Sequence, residues 1–200
     1  VFTLQRGLKH GRVETAQPLQ IIAEEVARAD QIITQVMGYA QLSEGRVERL
    51  NVSEELNRII AEVFPPGLPT GTQLAEDFTA ELPPLLMQRR HFADAVGNLL
   101  QNARDAVNGG GHILVQARLA GEDAIEVTVR DDGPGIAADK RERIFEAYYT
   151  TKPRGTGLGL AVVKHNTELY GGAVRLESEL GKGSQFTLSF PAKTLMRPGL

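Results

Sequence analysis

The sequence has no cysteine. This removes disulfides, thiolate nucleophiles and Cys-ligated metals from consideration and fits a reducing, cytoplasmic setting. No apolar run approaches the roughly 20 residues of a membrane span, and no signal peptide opens the chain. A membrane anchor, if one exists, would belong to a longer parent protein. Charge of one sign is also lacking: the formal net charge is −3 and no run of like charges stands out. That leaves no electrostatic footprint for nucleic acid or an anionic membrane. What remains is 42% apolar content over 200 residues, enough for one sizeable core and a smaller accessory element. Opening at Val1 without a methionine, the chain reads as a piece of something longer.

The first part reads as helical. Val1, Leu4 and Leu8 share one face of a short helix that Gly11 can end. Pro18 suits the first turn of a second helix. Leu19, Ile22, Val26, Ala29, Ile33, Val36 and Ala40 then alternate spacings of three and four, a heptad seam sustained for about three repeats. A helix pair cannot bury such a seam alone, so dimerisation into a four-helix bundle is expected. An antiparallel hairpin packed on its own domain is the alternative. Beyond Ser43 the pattern changes. Ser53 with Glu54 and Glu55 reads as a helix start, and Pro65, Pro66 and Pro69 end that helix. A strand is expected over residues 73–78 and a long helix over about residues 90–108, closed by Gly109, Gly110 and Gly111. Alternation predicts strands over 112–119 and 124–130. A further helix over about 157–170 precedes two strands over 173–179 and 184–190. The sum is an α+β fold: a two-layer α/β sandwich with a mixed sheet, preceded by an antiparallel helical hairpin.

Three clusters stand out against this frame. Asn98 and Asn102 lie one turn apart on the long helix and share a face. Asn is a mediocre helix former, so two aligned amides indicate a polar task. Taken alone, satisfying a neighbouring backbone explains them better than a ligand. Asp131-Asp132-Gly133-Pro134-Gly135-Ile136 directly follows a strand, where the backbone turns and a ligand can approach, although Asp-Gly-Pro-Gly is also ordinary turn chemistry. Lys152-Pro153-Arg154-Gly155-Thr156-Gly157-Leu158-Gly159 opens a helix. It lacks the Gly-Lys-Ser/Thr of the usual phosphate loop and the preceding strand of a dinucleotide fingerprint. Glycines feeding a helix N-terminus still expose N–H groups to an anion, unless they serve only as a hinge.

The joint order of the three clusters resembles the N, G1 and G2 boxes of sensor histidine kinases of two-component systems. These belong to the GHKL superfamily, together with DNA gyrase, heat-shock chaperone and mismatch-repair ATPases. Between the second and third clusters, Ile144-Phe145-Glu146-Ala147-Tyr148-Tyr149-Thr150-Thr151-Lys152 resembles the kinase F box, with Ala147 for the usual proline and two tyrosines for phenylalanines. Gly171-Gly172 and Gly181-Lys182-Gly183-Ser184-Gln185-Phe186 resemble the closing hairpin, with Tyr170 where histidine commonly precedes Gly-Gly. The resemblance covers about residues 50–191, and residues 18–43 resemble the second dimerisation helix. It implies a Bergerat-type ATP-binding domain over 49–193, a partial dimerisation hairpin over 1–48 and a tail over 194–200.

The resemblance also implies roles. Asp131 would accept from the adenine amino group of ATP or ADP, with Gly133, Gly135 and Ile136 close to the base. Asn102 would ligate Mg²⁺ through its amide oxygen. Asn98 stands where hydrolytic relatives carry a glutamate base, and an amide cannot take a proton from water. Asn98 and Asn102 would thus serve phosphoryl transfer rather than hydrolysis. Tyr149, Thr151, Lys152, Gly155, Thr156, Gly157, Leu158 and Gly159 would hold the nucleotide, with residues 137–154 as its lid. The expected reaction moves the γ-phosphate to a histidine and then to an aspartate on a response-regulator receiver domain. None of the four histidines, His10, His91, His112 and His165, has the acid and Asn/Thr-Pro that normally follow the acceptor, so the acceptor is expected upstream of Val1. A GHKL ATPase that couples hydrolysis to motion, and a non-catalytic kinase-like scaffold, are the competing readings.

Overall fold

The computed structural model describes residues 46–65, 71–108, 110–121, 123–152 and 155–192, all within the second of the chain's two units, Leu42–Leu200. The expected helical hairpin, apart from residues 46–48, lies outside the described residues, as does the expected tail. In chain order the elements are β1 (Glu48–Leu50), α1 (Val52–Val63), β2 (Gly71–Phe78), β3 (Leu85–Met87), α2 (Arg89–Val107), β4 (Gly110–Ala120), β5 (Ala124–Asp131), α3 (Gly159–Glu168), β6 (Ala173–Glu179) and β7 (Gly183–Pro191). Two single 3-10 turns, Ala138–Lys140 and Arg143–Phe145, interrupt the long connection before α3.

The expected mixed sheet packed on helices is present. Five strands lie in the order β2-β4-β5-β7-β6; β2 runs parallel to β4 and the other neighbours are antiparallel. Ile113, Val115 and Ala117 on β4, Ile125, Val127 and Val129 on β5, and Phe186, Leu188 and Phe190 on β7 are buried. Period-two alternation puts each set on one face. Against that face α2 presents Phe92, Val96, Leu99, Leu100, Ala103 and Val107, all buried in the same cluster. Phe92 and Phe190 meet at a tilt, their ring centroids 6.1 Å apart. Full burial of side chains this size stabilises by about 1.5–3 kcal/mol each.

The ends of the helices correct the sequence reading at several points. α1 is capped by Asn51, not Ser53: the Asn51 side chain accepts from Glu54 N–H at 3.3 Å and donates to the Glu54 carboxylate at 2.9 Å. The pair satisfies one orphan amide and anchors an acid at the positive end of the helix. At the other end, Arg104 reaches across from α2 and donates to Val63 O at 2.8 Å. α2 is closed by Asn108 in the left-handed region (φ 43°), and Gly110 and Gly111 already belong to β4. α3 is shorter than the expected 157–170, because Gly157 sits at φ 70° and cannot continue a right-handed helix. Strands β1 and β3 pair antiparallel and were not expected, since three residues are too few to display a period. Arg89 ties these parts together: its guanidinium pairs with Glu48 of β1 at 3.1 Å and with the buried Glu55 of α1, which also holds Arg58 at 3.0 Å.

Phe92→Ala empties the centre of the helix–sheet seam and is expected to cost about 3–5 kcal/mol in urea unfolding. Asn51→Ala, which removes only a cap, should cost about 1 kcal/mol in the same measurement.

Candidate functional site

The polar side of α2 organises the site. Asn98, Asn102 and Ala106 recur every four residues and so line one face of the helix. Each is half-buried and meets a different loop. Asn98 faces the start of α3, where a Cβ added to Gly159 would lie 2.8 Å from Asn98 Oδ1. The Asn98 amide donates to Asp94 O, one turn back, at 2.7 Å. Asn102 Oδ1 accepts from Lys152 Nζ at 2.9 Å. Ala106 faces Gly133, where a Cβ would come within 2.9 Å of Ala106 Cβ and 2.8 Å of Asp131 Oδ1. Asn98 thus bonds backbone within its own helix, Asn102 bonds the lysine, and the strip as a whole faces the two glycine loops.

Asp131 is the last residue of β5 and extends the inward series Ile125, Val127, Val129 by one more step. Its side chain is therefore turned toward the helices and buried. Burial pushes its carboxyl above the usual aspartate range; backbone N–H donors from Gly133 and Ser184 oppose this only in part. The Gly133 bond measures 3.0 Å. Asp132 points the other way. It accepts from His112 N–H and lies against the His112 ring, both at 2.8 Å, and these bonds hold its carboxyl below the ordinary range. The two adjacent acids therefore have opposite environments, a consequence of strand alternation.

Gly135 (φ 70°) and Ile136 are held by the β6–β7 hairpin. A Cβ on Gly135 would overlap the Glu179 carbonyl, Gly181 N–H donates to Pro134 O at 2.7 Å, and Ile136 N–H donates to Ser178 Oγ at 2.8 Å. On the opposite side of the site, Gly157 passes under the backbone of Tyr148. Tyr148 N–H donates to Gly157 O at 3.0 Å, and a Cβ on Gly157 would overlap the Tyr148 carbonyl carbon. Tyr148 itself sits at φ 67° with its side chain exposed. Gly155 packs against Thr150 Oγ1, and Thr156 Oγ1 accepts from Leu158 N–H at 3.4 Å. The Tyr149 ring lies beneath the Arg143 guanidinium, 4.7 Å away, and Thr151 is exposed. Neither side chain has a hydrogen bond to α2 among the described residues.

Sequence reasoning missed three contributors. Asp105 holds Lys152 Nζ at 2.7 Å and is itself held by Gln101 at 3.0 Å. It lies three residues from Asn102 and so shares its side of α2, but one acid on a helix carries no motif of its own. Ser178 has no sequence signal, because its partners come from β7 and from the loop after β5. Tyr170 accepts from Gln88 N–H at 3.2 Å and lies 2.8 Å from the buried His91 Nδ1, anchoring the end of α3 to the start of α2. A crevice of about 300 Å³ lined by Leu85, Met87, Leu169, Tyr170 and Phe190 among others includes none of Asn98, Asn102, Asp131 and Lys152. Among the described residues no helix is long and apolar enough to cross a membrane, and no cluster of three or more acidic, His or Cys side chains is set to hold a metal.

Comparison with known proteins gives the family and the fold. Residues 87–194, from the end of β3 to beyond β7, match the family described as histidine kinase-, DNA gyrase B- and HSP90-like ATPase. The chain is 32% identical over 178 residues to sensor histidine kinase ZraS of Salmonella typhi, covering 89% of this chain and 38% of that protein. It therefore spans well under half the length of this curated relative. Among solved structures, full-length ShkA in complex with AMPPNP superposes with a TM-score of 0.76 at 27% identity, covering 90% of this chain and 39% of that one. Histidine kinase ThkA in complex with response regulator protein TrrA shares the fold, with a TM-score of 0.78 at 21% identity over 96% of this chain and 56% of that one. With the family match extending over more than half of the 200 residues, the chain belongs to the histidine kinase-, DNA gyrase B- and HSP90-like ATPase family.

Proposed function

We propose that the chain is the nucleotide-binding catalytic core of a sensor histidine kinase. In this reading Asp131, Gly133, Gly135 and Ile136 receive the adenine. Asn102 carries the metal contact, and Lys152, Thr156 and the backbone from Gly155 to Gly159 hold phosphates, with Tyr149 and Thr151 on the lid. The observation that carries the reading is the single face of α2 on which Asn98, Asn102 and Ala106 meet Gly159, Lys152 and Gly133 in turn. A base at one end and phosphates at the other would lie along that face. A glycine is needed wherever a loop closes on it, because a Cβ would fill the gap.

Asn102 fits a divalent cation in a specific respect. Its amide oxygen already accepts from an ammonium group, so it is aimed at positive charge, and an uncharged oxygen is a hard ligand suited to Mg²⁺. Magnesium there would neutralise charge on the phosphates. Lys152 would exchange Asn102 and Asp105 for a phosphate as the lid closes. Its present pairs are exposed, and such pairs contribute only about 0–1 kcal/mol, so the exchange costs little. Transfer then forms a bond from a histidine ring nitrogen to the γ-phosphorus and breaks the bond to the bridging oxygen, leaving ADP. Asn98 supports transfer over hydrolysis, since its amide is committed to Asp94 O and offers no proton acceptor of useful basicity. The hairpin over residues 1–48 would dimerise and present the acceptor histidine, and a receiver-domain aspartate would take the phosphoryl group. The ThkA–TrrA complex is the precedent for that partner.

Three outcomes test this reading. Incubated with Mg·ATP and a separate helical-bundle domain bearing His-Glu/Asp-x-x-Asn/Thr-Pro, the chain should yield acid-labile, base-stable phosphohistidine on the bundle. Steady ATP hydrolysis without transfer would favour the ATPase reading. Asn102→Ala should lower ATP affinity in magnesium to the level measured with a chelator present, as read by calorimetry.

The third outcome concerns Asp131. Its folded-state pKa is raised, so its contribution to fold stability is fully present below the unfolded pKa and is lost as pH rises through the folded value. The ionised carboxylate is thus held at neutral pH at some cost to the fold. A bound amino donor favours that ionised form. ATP affinity should therefore fall with decreasing pH, beginning above the ordinary aspartate value of about 3.9. Asp131→Asn should weaken binding at least about tenfold and remove this pH step. Tight binding unaffected by Asp131→Asn would overturn the base-site assignment.

A further inference from the structure

Strand register sets a row of side chains across the end of the sheet. Asp131 of β5 stands opposite Ser184 of β7, and Ser184 stands opposite Ser178 of β6. Directly paired residues share a face, so the three lie side by side on the face that α2 covers. Apolar residues fill the rows further along the same strands (Val129 with Phe186, Phe186 with Leu176). A polar row at the site end of an apolar face is a local exception, and its hydrogen bonds can be counted completely.

The Ser178 hydroxyl has one proton and two lone pairs. It donates to Gly183 O at 2.8 Å and accepts from Ile136 N–H at 2.8 Å. Ser184 Oγ lies 3.1 Å away. The single Ser178 proton is committed to a carbonyl that can only accept, so Ser184 is the donor in that contact. Ser178 is then saturated, and each partner belongs to a different part of the base site. Ile136 ends the loop that carries Gly133 and Gly135. Gly183 opens β7 at φ 92°, where a Cβ would overlap the Asp131 carbonyl. Ser184 supplies the backbone N–H that helps keep Asp131 ionised. With its proton drawn toward Ser178, Ser184 Oγ leaves only lone pairs for the Asp131 side.

We propose that Ser178 is a positioning residue of the base site: it holds the 133–136 loop on the β6–β7 hairpin and orients Ser184, and so fixes the distance and donor–acceptor pattern with which the Asp131 pocket meets a purine amino group. This rests on the reading that Asp131 receives adenine. Ser178 itself touches no ligand in this arrangement and acts through Ile136, Gly183 and Ser184. Without its hydroxyl an amide, a carbonyl and a second hydroxyl lose their partner together, and among the described residues the loop is left tethered to the hairpin by Gly181 N–H to Pro134 O alone.

The test uses the whole 200-residue chain. Calorimetric Kd values for Mg·ATP and Mg·GTP are measured on the parent chain, Ser178→Ala and Ser178→Thr, with amide hydrogen exchange at Ile136. Ser178→Ala should raise the Kd for ATP about tenfold, the scale of one lost bond to a half-buried group. It should also narrow the ATP-to-GTP ratio and speed exchange at Ile136, and Ser178→Thr, which keeps the hydroxyl, should restore all three. Ser178→Cys keeps the size but bonds weakly, and it should shift the same quantities in the same direction if the alanine variant does not fold. An unchanged ratio and unchanged Ile136 exchange in Ser178→Ala or Ser178→Cys, alongside normal ATP binding by the parent chain, would overturn this proposal alone. Failure of the parent chain to bind ATP would overturn it together with the reading of Asp131.

Discussion

The site depends on the seam between α2 and the five-stranded sheet. Nineteen residues of one helix bury Phe92, Val96, Leu99, Leu100, Ala103 and Val107 against β4, β5 and β7, and this apolar contact fixes the helix's rotation about its axis. Once the rotation is set, the face carrying Asn98, Asn102 and Ala106 has no freedom left. A turn of one residue, about 100° in a helix of 3.6 residues per turn, would carry the amides away from the loops they meet. The hydrophobic term is non-directional, but the shape of the packed side chains converts it into a direction for two amides. Arg104 and Arg89 extend the constraint outward, one donating to the end of α1 and the other linking β1 to α1.

The loops then have to come to α2, and they approach more closely than side chains allow. Gly133 against Ala106, Gly159 against Asn98 and Gly157 against Tyr148 are contacts between backbone and its neighbour with no space for a Cβ. Gly135 and Gly157 also occupy the left-handed region that other residues enter only with strain. Tyr148 is the exception, a bulky residue at φ 67° with an exposed ring. Strain of this kind is held at a cost of order 1–3 kcal/mol, and it lies where Tyr148 crosses Gly157. Buried Asp131 is a second local cost. Ser184 and Gly133 offset part of its desolvation without removing it. Both costs sit at the proposed nucleotide site.

Adjacent residues receive opposite tasks through strand geometry alone. Asp131 continues the inward period of β5 and is buried, whereas Asp132 faces out and is fixed by His112. The alternation that hides Val127 and Val129 therefore also selects which of two identical carboxylates is desolvated. Lys152 is placed differently. It is held by an amide and a carboxylate from α2 on exposed ground, where the proposed exchange for a phosphate would cost little.

Much of this was legible in the sequence because it depends on short-range periodicity. The inward alternation of β4 and β5, the apolar stripe of α2 with Asn98 and Asn102 four apart, and the glycines after Asp131 and before α3 are all local patterns. Local patterns also misled at element ends, where the Asn51 side chain caps α1 in place of Ser53 and Asn108 takes the left-handed end of α2, because a cap is settled by which group reaches an orphan backbone atom. Fold class, family and the identity of the polar strip were thus determined by the chain on its own. Tertiary structure alone decided that Asp105 shares Lys152 with Asn102, that Arg104 caps a helix ending 41 residues earlier, and that Ser178 closes a bond set spanning Ile136, Gly183 and Ser184. The bonds of Lys152 to α2, of Arg104 to Val63 and of Ile136 to Ser178 join residues far apart in sequence through strand register and helix rotation. Register and rotation are set by how the whole core packs, which no window of neighbouring residues contains.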